Sequence, residues 1–295
     1  MNGPLVSIII PCFNQGQYLA EAIDSALVQA YRHFEIIVID SGSTDQTPAV
    51  VHRYSDRIRS LSIENLGVSR ARNAGISTSR GELIALLDAD DRWLPDKLAH
   101  QVPRLLGSPD VAMLFSSYRS FWPEEKTTTT FVVDGWRPTL HDQLRFNFVN
   151  SQSAIFRRSI IEAVGGFDET LERAEDWELW NRIVAMAPIM GTSQVVAEYR
   201  RRAGTLSGDA RLMLESKVRV LNKSRWLHGR CAACEVAYRA GLREAHAVYA
   251  ARRCADSKRQ LRSGRLIAAF LSRAAGLWHN PRSPLQRAGR KPQTT

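Results

Sequence analysis

Short apolar runs alternate with helical patterns through the first third of this chain, and this alternation constrains the fold more than any other feature. The runs cover residues 7–10, 35–39, 59–63 and 83–87. Each has the length and composition of a buried strand, and the stretches between them carry apolar residues at helical spacing. Strands that alternate with helices predict an α/β fold, in which helices cover both faces of a mostly parallel sheet.

Aspartates follow two of these predicted strands. Asp40 comes directly after the second run, and Asp88, Asp90 and Asp91 follow the fourth. In such sheets ligands gather at the carboxyl ends of the strands, so these acids should meet at one edge. Clustered carboxylates repel one another unless a cation lies among them, and Mg²⁺ or Mn²⁺ prefers oxygen ligands. The pattern therefore predicts a site for a divalent metal and a diphosphate.

Charge is distributed unevenly along the 295 residues. Residues 1–199 hold 18 Lys and Arg against 25 Asp and Glu, a net −7, whereas residues 200–295 hold 22 against 5, a net +17. We therefore expect two units, residues 1–207 and a basic helical tail at 208–295, whose charge favours an anionic surface. No apolar run reaches the ~18 residues of a membrane span, and the few cysteines suit a reducing compartment. The sequence predicts a cytoplasmic protein, with peripheral attachment to the inner face of the membrane as one role for the tail.

Six sequence blocks occur in the order found in one enzyme family. They are VSIIIPCFN (6–14), IVIDSGSTD (37–45), GVSRARNAG (67–75), LDADD (87–91), GGFDE (165–169) and EDWEL (175–179). Together they resemble the family 2 glycosyltransferases over roughly residues 5–207. The resemblance implies a GT-A-type domain that moves a sugar, with inversion, from a nucleotide-sugar donor. It also implies a divalent metal, Mn²⁺ or Mg²⁺, and a UDP-sugar is the expected donor.

The resemblance assigns the first two blocks to the donor nucleotide. Pro11 and Asn14 belong to the first block, and Asp40 in the second is the acid expected to read the nucleobase. In many relatives a second acid follows, but here the position is Ser41, which leaves the identity of the base open. A helix-capping role for Asp40 is the alternative.

The resemblance places the third and fourth blocks at the diphosphate. Arg72 would donate charge-assisted hydrogen bonds to it, although a place on a solvated helix face explains this Arg nearly as well. Asp88 and Asp90 would flank the sugar and the diphosphate, with Asp90 as the direct metal ligand. Asp91 is either a neighbour of the metal ligand or a cap for a helix that begins near Trp93, and the cap is favoured.

Inversion requires a base that removes the proton of the acceptor hydroxyl. Asp176 matches the family's catalytic position, and its neighbour Glu175 can raise its pKa into a working range. The alternative is that both acids only interact favourably with the N-terminus of a helix. Trp177 and Trp180 either stack on a sugar ring or pack in the core.

The end of the predicted domain departs from the family. Relatives often carry a His shortly after a Tyr-Arg pair, where it can complete the coordination of the metal. Here Arg202 occupies the corresponding position after Tyr199. An Arg cannot ligate a metal but can clamp a diphosphate with two hydrogen bonds. We predict that Arg202 supplements or partly replaces the charge of the metal.

The basic tail allows two interpretations. Residues 245–262 and 265–278 form either a helical hairpin packed on itself or an apolar face, ringed by Arg, that lies in a membrane interface. Both can hold together, because a packed hairpin still presents Arg to anionic lipid.

A Cys-x-x-Cys pair, Cys231 and Cys234, could begin a zinc site with His228 or Cys254. No second Cys-x-x-Cys completes such a site in the sequence. Reduced thiols on a helix are therefore favoured.

The favoured function is an inverting glycosyltransferase acting on a hydroxyl of a glycan or a lipid-linked acceptor, in cell-surface polysaccharide synthesis. A metal-dependent nucleotidyltransferase is the first alternative, but it would grip a triphosphate with a Gly-rich, basic loop, and residues 11–16 hold one Gly and no cation. The second alternative is a non-catalytic protein that binds anionic partners through its tail. Exposed aromatics would accompany the cations of a single-strand binder, and residues 200–265 have few, so no nucleic acid partner is expected.

Overall fold

The computed structural model describes residues 3–122, 127–132, 135–202, 208–262 and 271–275. The chain divides into two compact units. The first consists of Met1–Gln143 and Asn147–Arg202, and the second of Leu144–Phe146 and Ala203–Thr295. The domain boundary predicted at residue 207 lies outside the described residues and stays a prediction.

Within the described part of the first unit, nine strands form one sheet. They are β1 (Val6–Cys12), β2 (Phe34–Asp40), β3 (Arg59–Ser62), β4 (Leu83–Leu86), β5 (Arg92–Trp93), β6 (Met113–Trp122), β7 (Thr127–Phe131), β8 (Ala154–Arg157) and β9 (Ile189–Arg200). Their order is β3-β2-β1-β4-β8-β6-β9-β5, and β7 pairs with β6. The first four strands are parallel, and β8 enters antiparallel between β4 and β6. The predicted α/β fold is confirmed.

The parallel strands end at a common edge. All residues of β1 and β4 are buried, which is why these strands appear as continuous apolar runs instead of alternating ones. β1 and β2 pair in register to their last residues, Cys12 opposite Asp40. Asp88 lies two residues beyond the end of β4, the other neighbour of β1. Asp40 and Asp88 therefore lie along the same edge of the sheet.

Helices cover both faces of this sheet. Those of residues 16–186 are α1 (Gly16–Leu27), α2 (Thr47–Arg53), α3 (Val68–Thr78), α4 (Lys97–Leu106), α5 (Leu140–Arg145), α6 (Arg158–Ala163) and α7 (Glu175–Met186). Ile8 packs in one apolar cluster with Leu19 of α1, whereas Ile9 packs in another with Ala71 of α3 and Trp180 of α7. The two clusters separate because successive strand residues face opposite sides of a sheet.

A glycine lets α3 lie close to the strands. A Cβ atom at Gly75 would lie 2.5 Å from Cγ2 of Ile9 and 3.3 Å from Cγ1 of Ile39, both in the core. The absence of a side chain at Gly75 thus sets how near α3, and Arg72 on it, lies to the sheet.

One predicted helix start was wrong. The segment at Trp93 is the short strand β5, which pairs with β9, and α4 begins only at Lys97. Pro95 accounts for the difference, because a proline disfavours helical conformation at the residue before it. Asp91 consequently caps no helix here, and its Oδ1 accepts the backbone N–H of Arg200 at 2.7 Å.

Two further segments belong to the sheet. Of the described residues 127–132, Thr127–Phe131 form β7, antiparallel to β6. A 3₁₀ turn at Ser151–Ser153 comes directly before β8. Asn150 caps that turn through its side chain, which accepts the backbone N–H of Gln152.

The described part of the second unit is helical. It contains α8 (Ala210–Ser224) and α9 (Ala232–Arg262), which contact each other through Leu214, Ala245 and Tyr249. No helix among the described residues is long and apolar enough to cross a membrane. Most of the second tail segment predicted at 265–278 lies outside the described residues, so both interpretations of the tail stay predictions.

The Cys-x-x-Cys pair lies at the start of α9. Cys234 is buried, and its Sγ lies 3.7 Å from Nδ1 of His228. Its backbone N–H donates to Sγ of Cys231 at 3.4 Å. Burial, together with the neighbouring Cys231 thiol, raises the pKa of Cys234 to about 11. Cys234 is therefore a protonated thiol at neutral pH.

Candidate active site

The loops after β1 and β2 are tied together at the carboxyl edge of the sheet. Asn14, with a φ of 50°, donates its backbone N–H to Ser43 Oγ at 2.9 Å. Its Oδ1 accepts the backbone N–H of Thr44 at 2.8 Å. Asp45 in turn accepts the backbone N–H of Gly16 at 2.9 Å. Asn14 thus holds the second loop in place, and its predicted contact with the nucleotide stays a prediction.

Asp40 lies beside these loops as the last residue of β2. It is 8% exposed, and its Oδ1 accepts the backbone N–H of Ser43 at 3.0 Å. The backbone N–H of Thr47, at the start of α2, goes to Asp45, so Asp40 does not cap that helix. Pro11 is buried in β1.

Arg72 joins an acid after β4 to an acid of α7. Its side chain is 3% exposed; Nη2 donates to Oδ1 of Asp88 at 2.8 Å and Nη1 to Oε1 of Glu175 at 2.5 Å. Burial lowers the pKa of Arg72, but the two carboxylates outweigh burial and raise it overall. The guanidinium also lies 5.3 Å from the ring centroid of Phe167. Arg72 is therefore not on a solvated face, and its predicted diphosphate contact stays a prediction.

Two site residues were missed from the sequence. Gln152 and Ser151 lie on the 3₁₀ turn before β8, where Gln152 Nε2 donates to Oδ2 of Asp88. Ser151 Oγ donates to Oδ2 of Asp176 at 3.1 Å. The polar run at residues 150–153, directly before an apolar run, was the available signal in the sequence.

Asp176 lies in the first turn of α7, after Ala174 in the left-handed conformation with a φ of 56°. Its Oδ1 accepts the backbone N–H of Trp177 at 2.6 Å. Trp177 is buried and donates its indole N–H to the backbone oxygen of Gln143 at 2.7 Å. Trp180 is buried in the core beside Phe156. Core packing, one of the two interpretations offered from the sequence, thus accounts for both tryptophans.

The acids of α7 have perturbed acidity. Burial raises the pKa of Asp176, and the positive charge of Arg72 partly opposes this. Burial also raises the pKa of Glu175, again opposed by Arg72 and assisted by the charge of Asp176. A carboxylate with a raised pKa is a better proton acceptor than an ordinary aspartate.

Asn73 links the third sequence block to the fifth. Its side chain donates to the backbone oxygen of Phe167 at 2.9 Å and accepts the backbone N–H of the same residue at 2.8 Å. Gly166 has a φ of 73°, and a Cβ there would lie 2.8 Å from Oδ1 of Asn73. Only a glycine fits this turn, which brings Phe167 over Arg72.

Asp90 and Arg202 form an ion pair. Nε and Nη2 of Arg202 lie 3.0 and 2.9 Å from Oδ2 of Asp90, and both side chains are largely buried. Arg202 also lies 5.3 Å from the ring centroid of Tyr18. Burial and the charge of Asp88 raise the pKa of Asp90, and Arg202 only partly opposes them.

Arg200 braces the same turn from β9. Its Nε donates to the backbone oxygen of Asp90 at 2.8 Å, and its side chain also pairs with Glu21. Oδ1 of Asp91 accepts the backbone N–H of Arg200, while Oδ2 is buried without a hydrogen-bond partner. Burial raises the pKa of Asp91 well above its usual range.

The structure therefore brings most of the predicted site together. Asp88 contacts Arg72 directly, and the 3₁₀ turn contacts both Asp88 and Asp176. Asp90 lies in the same turn, paired with Arg202. Asp40, Asn14 and Pro11 lie two strands or fewer away along the edge. Such a set can accept a proton at Asp176, where burial raises the pKa of the carboxyl.

Comparison with known proteins agrees with this architecture. The sequence profile of Glycosyl transferase family 2 matches residues 7–165. An uncharacterised glycosyltransferase of Rickettsia prowazekii is 31% identical over 221 residues, which cover 72% of this chain and 69% of that protein. Against four further rickettsial glycosyltransferases, the matched part spans only 28 to 64% of their length. The chain belongs to glycosyltransferase family 2.

Solved structures of two enzymes share the fold. TarS of S. aureus in complex with UDP superimposes with a TM-score of 0.63 at 19% identity, covering 81% of this chain and 70% of that one. The mannosyltransferase PcManGT from Pyrobaculum calidifontis, in complex with GDP-Man and Mn²⁺, gives a TM-score of 0.61 at 20% identity, covering 94% and 88%. The fold is that of GT-A glycosyltransferases.

The residues after β4 fit a divalent cation. Burial and, after it, the charge of Asp88 raise the pKa of Asp90, so the two carboxylates lie close enough to repel each other. The available donors are carboxylate oxygens, which suit Mg²⁺ or Mn²⁺ better than a thiophilic metal. Asp90, with Asp88 beside it, would hold such an ion.

Proposed function

We propose that the protein transfers a sugar, with inversion, from a nucleoside diphosphate to a hydroxyl of a glycan or lipid-linked acceptor. The observation that carries the proposal is the bridge made by Arg72, which binds Asp88 on one side and Glu175, the neighbour of Asp176, on the other. Donor-side and acceptor-side acids are thereby held in one cluster. A UDP-sugar is the expected donor.

Asp176 acts as the base. The acceptor oxygen forms a bond to the anomeric carbon on the face opposite the diphosphate, the bond from that carbon to the diphosphate oxygen breaks, and the hydroxyl proton passes to the carboxylate of Asp176. Ser151 and the N–H of Trp177 orient this carboxylate. Arg72 stabilises the two acids on either side of the reacting centre.

Asp40 and Asp90 serve the donor. Asp40 accepts an N–H of the nucleobase, beside the loop that Asn14 holds in place. Asp90 would hold the divalent cation, with Asp88 beside it at the diphosphate. When bound, the cation neutralises the charge that develops on the departing diphosphate.

The family of this chain and the charge of its second unit support a proposal for the acceptor and for where the protein works. The acceptor belongs to cell-surface polysaccharide synthesis, and the protein works in the cytoplasm. The net +17 of residues 200–295 lets the second unit associate with the anionic inner face of the membrane.

A thermal-shift panel tests the donor assignment. UDP, GDP, dTDP and CMP are added singly, each with and without Mn²⁺, to the full chain. One nucleoside diphosphate at about 100 times its Kd should stabilise the fold by about 2.7 kcal/mol, and only when Mn²⁺ is present. The matching nucleoside triphosphates are added in a further arm, and stabilisation by one of them over every diphosphate would support the nucleotidyltransferase instead. Absence of any shift with all four would refute the proposal.

Arg202 partly replaces the charge of the metal. The guanidinium of Arg202 pairs with Asp90, the residue proposed to hold the cation. It therefore lies where it can donate to the diphosphate of a bound donor. Arg202→Ala is expected to lower kcat for the donor about tenfold or more, which corresponds to ~1.4 kcal/mol of transition-state stabilisation. The rate is measured at saturating Mn²⁺.

Arg137→Ala is the matched control. Arg137 also pairs with an aspartate, Asp110, at 2.6 Å, but both side chains are at least half exposed and lie away from the acids after β4. Its loss should leave turnover within about twofold of wild type, since exposed ion pairs contribute little. Equal effects of the two substitutions would discard the role of Arg202.

A further inference from the structure

A buried lysine without an acid partner lies beneath the candidate active site. Lys97, at the start of α4, is 0% exposed. Burial lowers its pKa well below the usual range. Its Nζ donates to Oε1 of Gln101 at 2.5 Å and to the backbone oxygen of Ala154 at 3.2 Å, and it lies 4.7 Å from the ring centroid of Trp93.

Gln101 links Lys97 to the 3₁₀ turn. Its Nε2 donates to the backbone oxygen of Ser153 at 2.7 Å and to Oγ of Ser116 at 2.8 Å. Gln101 is itself 0% exposed, so these bonds are made in the interior. Lys97 and Gln101 therefore bind two consecutive backbone carbonyls, those of Ser153 and Ala154.

Two other residues of the same turn contact acids of the candidate active site. Gln152 donates to Asp88 and Ser151 donates to Asp176. These two residues directly precede Ser153, so a shift of the turn moves both donors together. Burying a lysine is costly unless its hydrogen bonds are satisfied, and here all of them converge on this one segment and the glutamine that supports it.

We propose that Lys97 and Gln101 are positioning residues, which hold the 3₁₀ turn so that Ser151 orients Asp176 while Gln152 orients Asp88. Neither touches the reacting atoms. Their effect on transfer rests on the proposed function, but their effect on Asp176 does not. Asp176 is faced by Glu175 and Arg72 from α7 and α3, by Asp88 from the turn after β4, and by Ser151.

The test follows the titration of Asp176 by ¹³C NMR on protein labelled at aspartate carboxylates, without donor or metal. The signal is assigned by its loss in Asp176→Asn. In Gln101→Met the turn loses its support, and the hydrogen bond from Ser151 to the charged carboxylate weakens. The midpoint should rise by about one pH unit, the size expected for a lost hydrogen bond to a charged group.

Gln29→Met is the matched control. Gln29 is equally buried, and its side chain makes three hydrogen bonds, to Ser25, Leu94 and Leu98, none of them with a residue of the turn. Its substitution should lower stability about as much as Gln101→Met and leave the Asp176 midpoint unchanged. Equal midpoint shifts in the two variants would overturn the proposal.

Ser151→Ala covers the case in which Gln101→Met does not fold. It removes the donor itself, so the midpoint of Asp176 should rise in the same direction. An unchanged midpoint in Ser151→Ala also overturns the proposal. Transfer is then assayed: kcat should fall about tenfold in Gln101→Met and about twofold or less in Gln29→Met. If wild-type protein transfers no sugar while the midpoints still move, the proposed function fails and the positioning role stands.

Discussion

Asp176→Asn is expected to transfer sugar about 10²- to 10⁴-fold more slowly than the wild-type protein, with the KM for the donor nearly unchanged. The amide has almost the same shape: its Oδ1 can still accept the backbone N–H of Trp177, while its Nδ2 can donate to the hydroxyl oxygen of Ser151. It cannot take a proton from the acceptor. Initial rates at saturating donor, with the nucleotide identified by the thermal-shift panel, measure the effect.

Asp56→Asn is the control, because Asp56 lies exposed in the turn between α2 and β3, at the opposite edge of the sheet. Its turnover should match wild type. An Asp176→Asn protein that retains more than about a tenth of wild-type kcat would show that another group accepts the proton.

The pH dependence of wild-type transfer should also show that Asp176 is the base. A base must be deprotonated, so kcat rises with pH through the pKa of Asp176. Burial raises that pKa above the usual 3.8, with partial opposition from Arg72, so the acidic limb lies at higher pH than for an exposed aspartate. The limb should disappear in Asp176→Asn, whose small residual rate no longer depends on this carboxylate.

Arg72→Met should destabilise the fold by about 3 kcal/mol as well as abolish most activity. The substitution leaves the buried Glu175 without its cation and removes one of the two donors to Asp88. Breaking a buried ion pair on one side costs about 3 to 5 kcal/mol, and the lower end applies because Asp88 is partly exposed. Urea unfolding at pH 7 measures the loss.

The loss should shrink as the pH falls. Without Arg72 the pKa of Glu175 in the folded protein rises further above its value in the unfolded chain. At a pH between the pKa of Glu175 in the unfolded chain and its higher pKa in the folded variant, the folded state binds the proton of Glu175 more tightly. Lowering the pH therefore stabilises the variant relative to wild type. An equal loss at pH 7 and pH 5 would show that packing, and not charge, accounts for the effect.

Arg158→Met separates charge from packing. Arg158 is also largely buried, but it donates mainly to the backbone oxygens of Gly81 and Ile76 and to the hydroxyl of Ser79. Its loss should cost stability without the dependence on pH, because no buried carboxylate is left unpaired.

Local chemistry was enough to predict several features of the site. Apolar runs that end in acids placed Asp40 and Asp88 at one edge, and the neighbouring acids marked the start of α7. Trp93 shows where this approach failed. The sequence around it predicted the start of a helix, yet the segment is a strand because it pairs with β9, which is distant in sequence. The polar turn at Ser151–Ser153 was missed for the same reason, since its value comes from the acids it meets.

The sequence by itself determined the α/β fold and its family, because these depend on residue type and short-range spacing, and it also predicted which acids bind a cation or accept a proton. Only the tertiary structure decided the partners of those acids. Arg72, assigned to a diphosphate or to solvent, lies buried between two carboxylates, and Arg202 pairs with Asp90. Two of these contacts, Arg72 with Glu175 and Arg202 with Asp90, join residues roughly a hundred positions apart. A guanidinium can satisfy any nearby carboxylate, so its partner is selected by how the helices and strands pack.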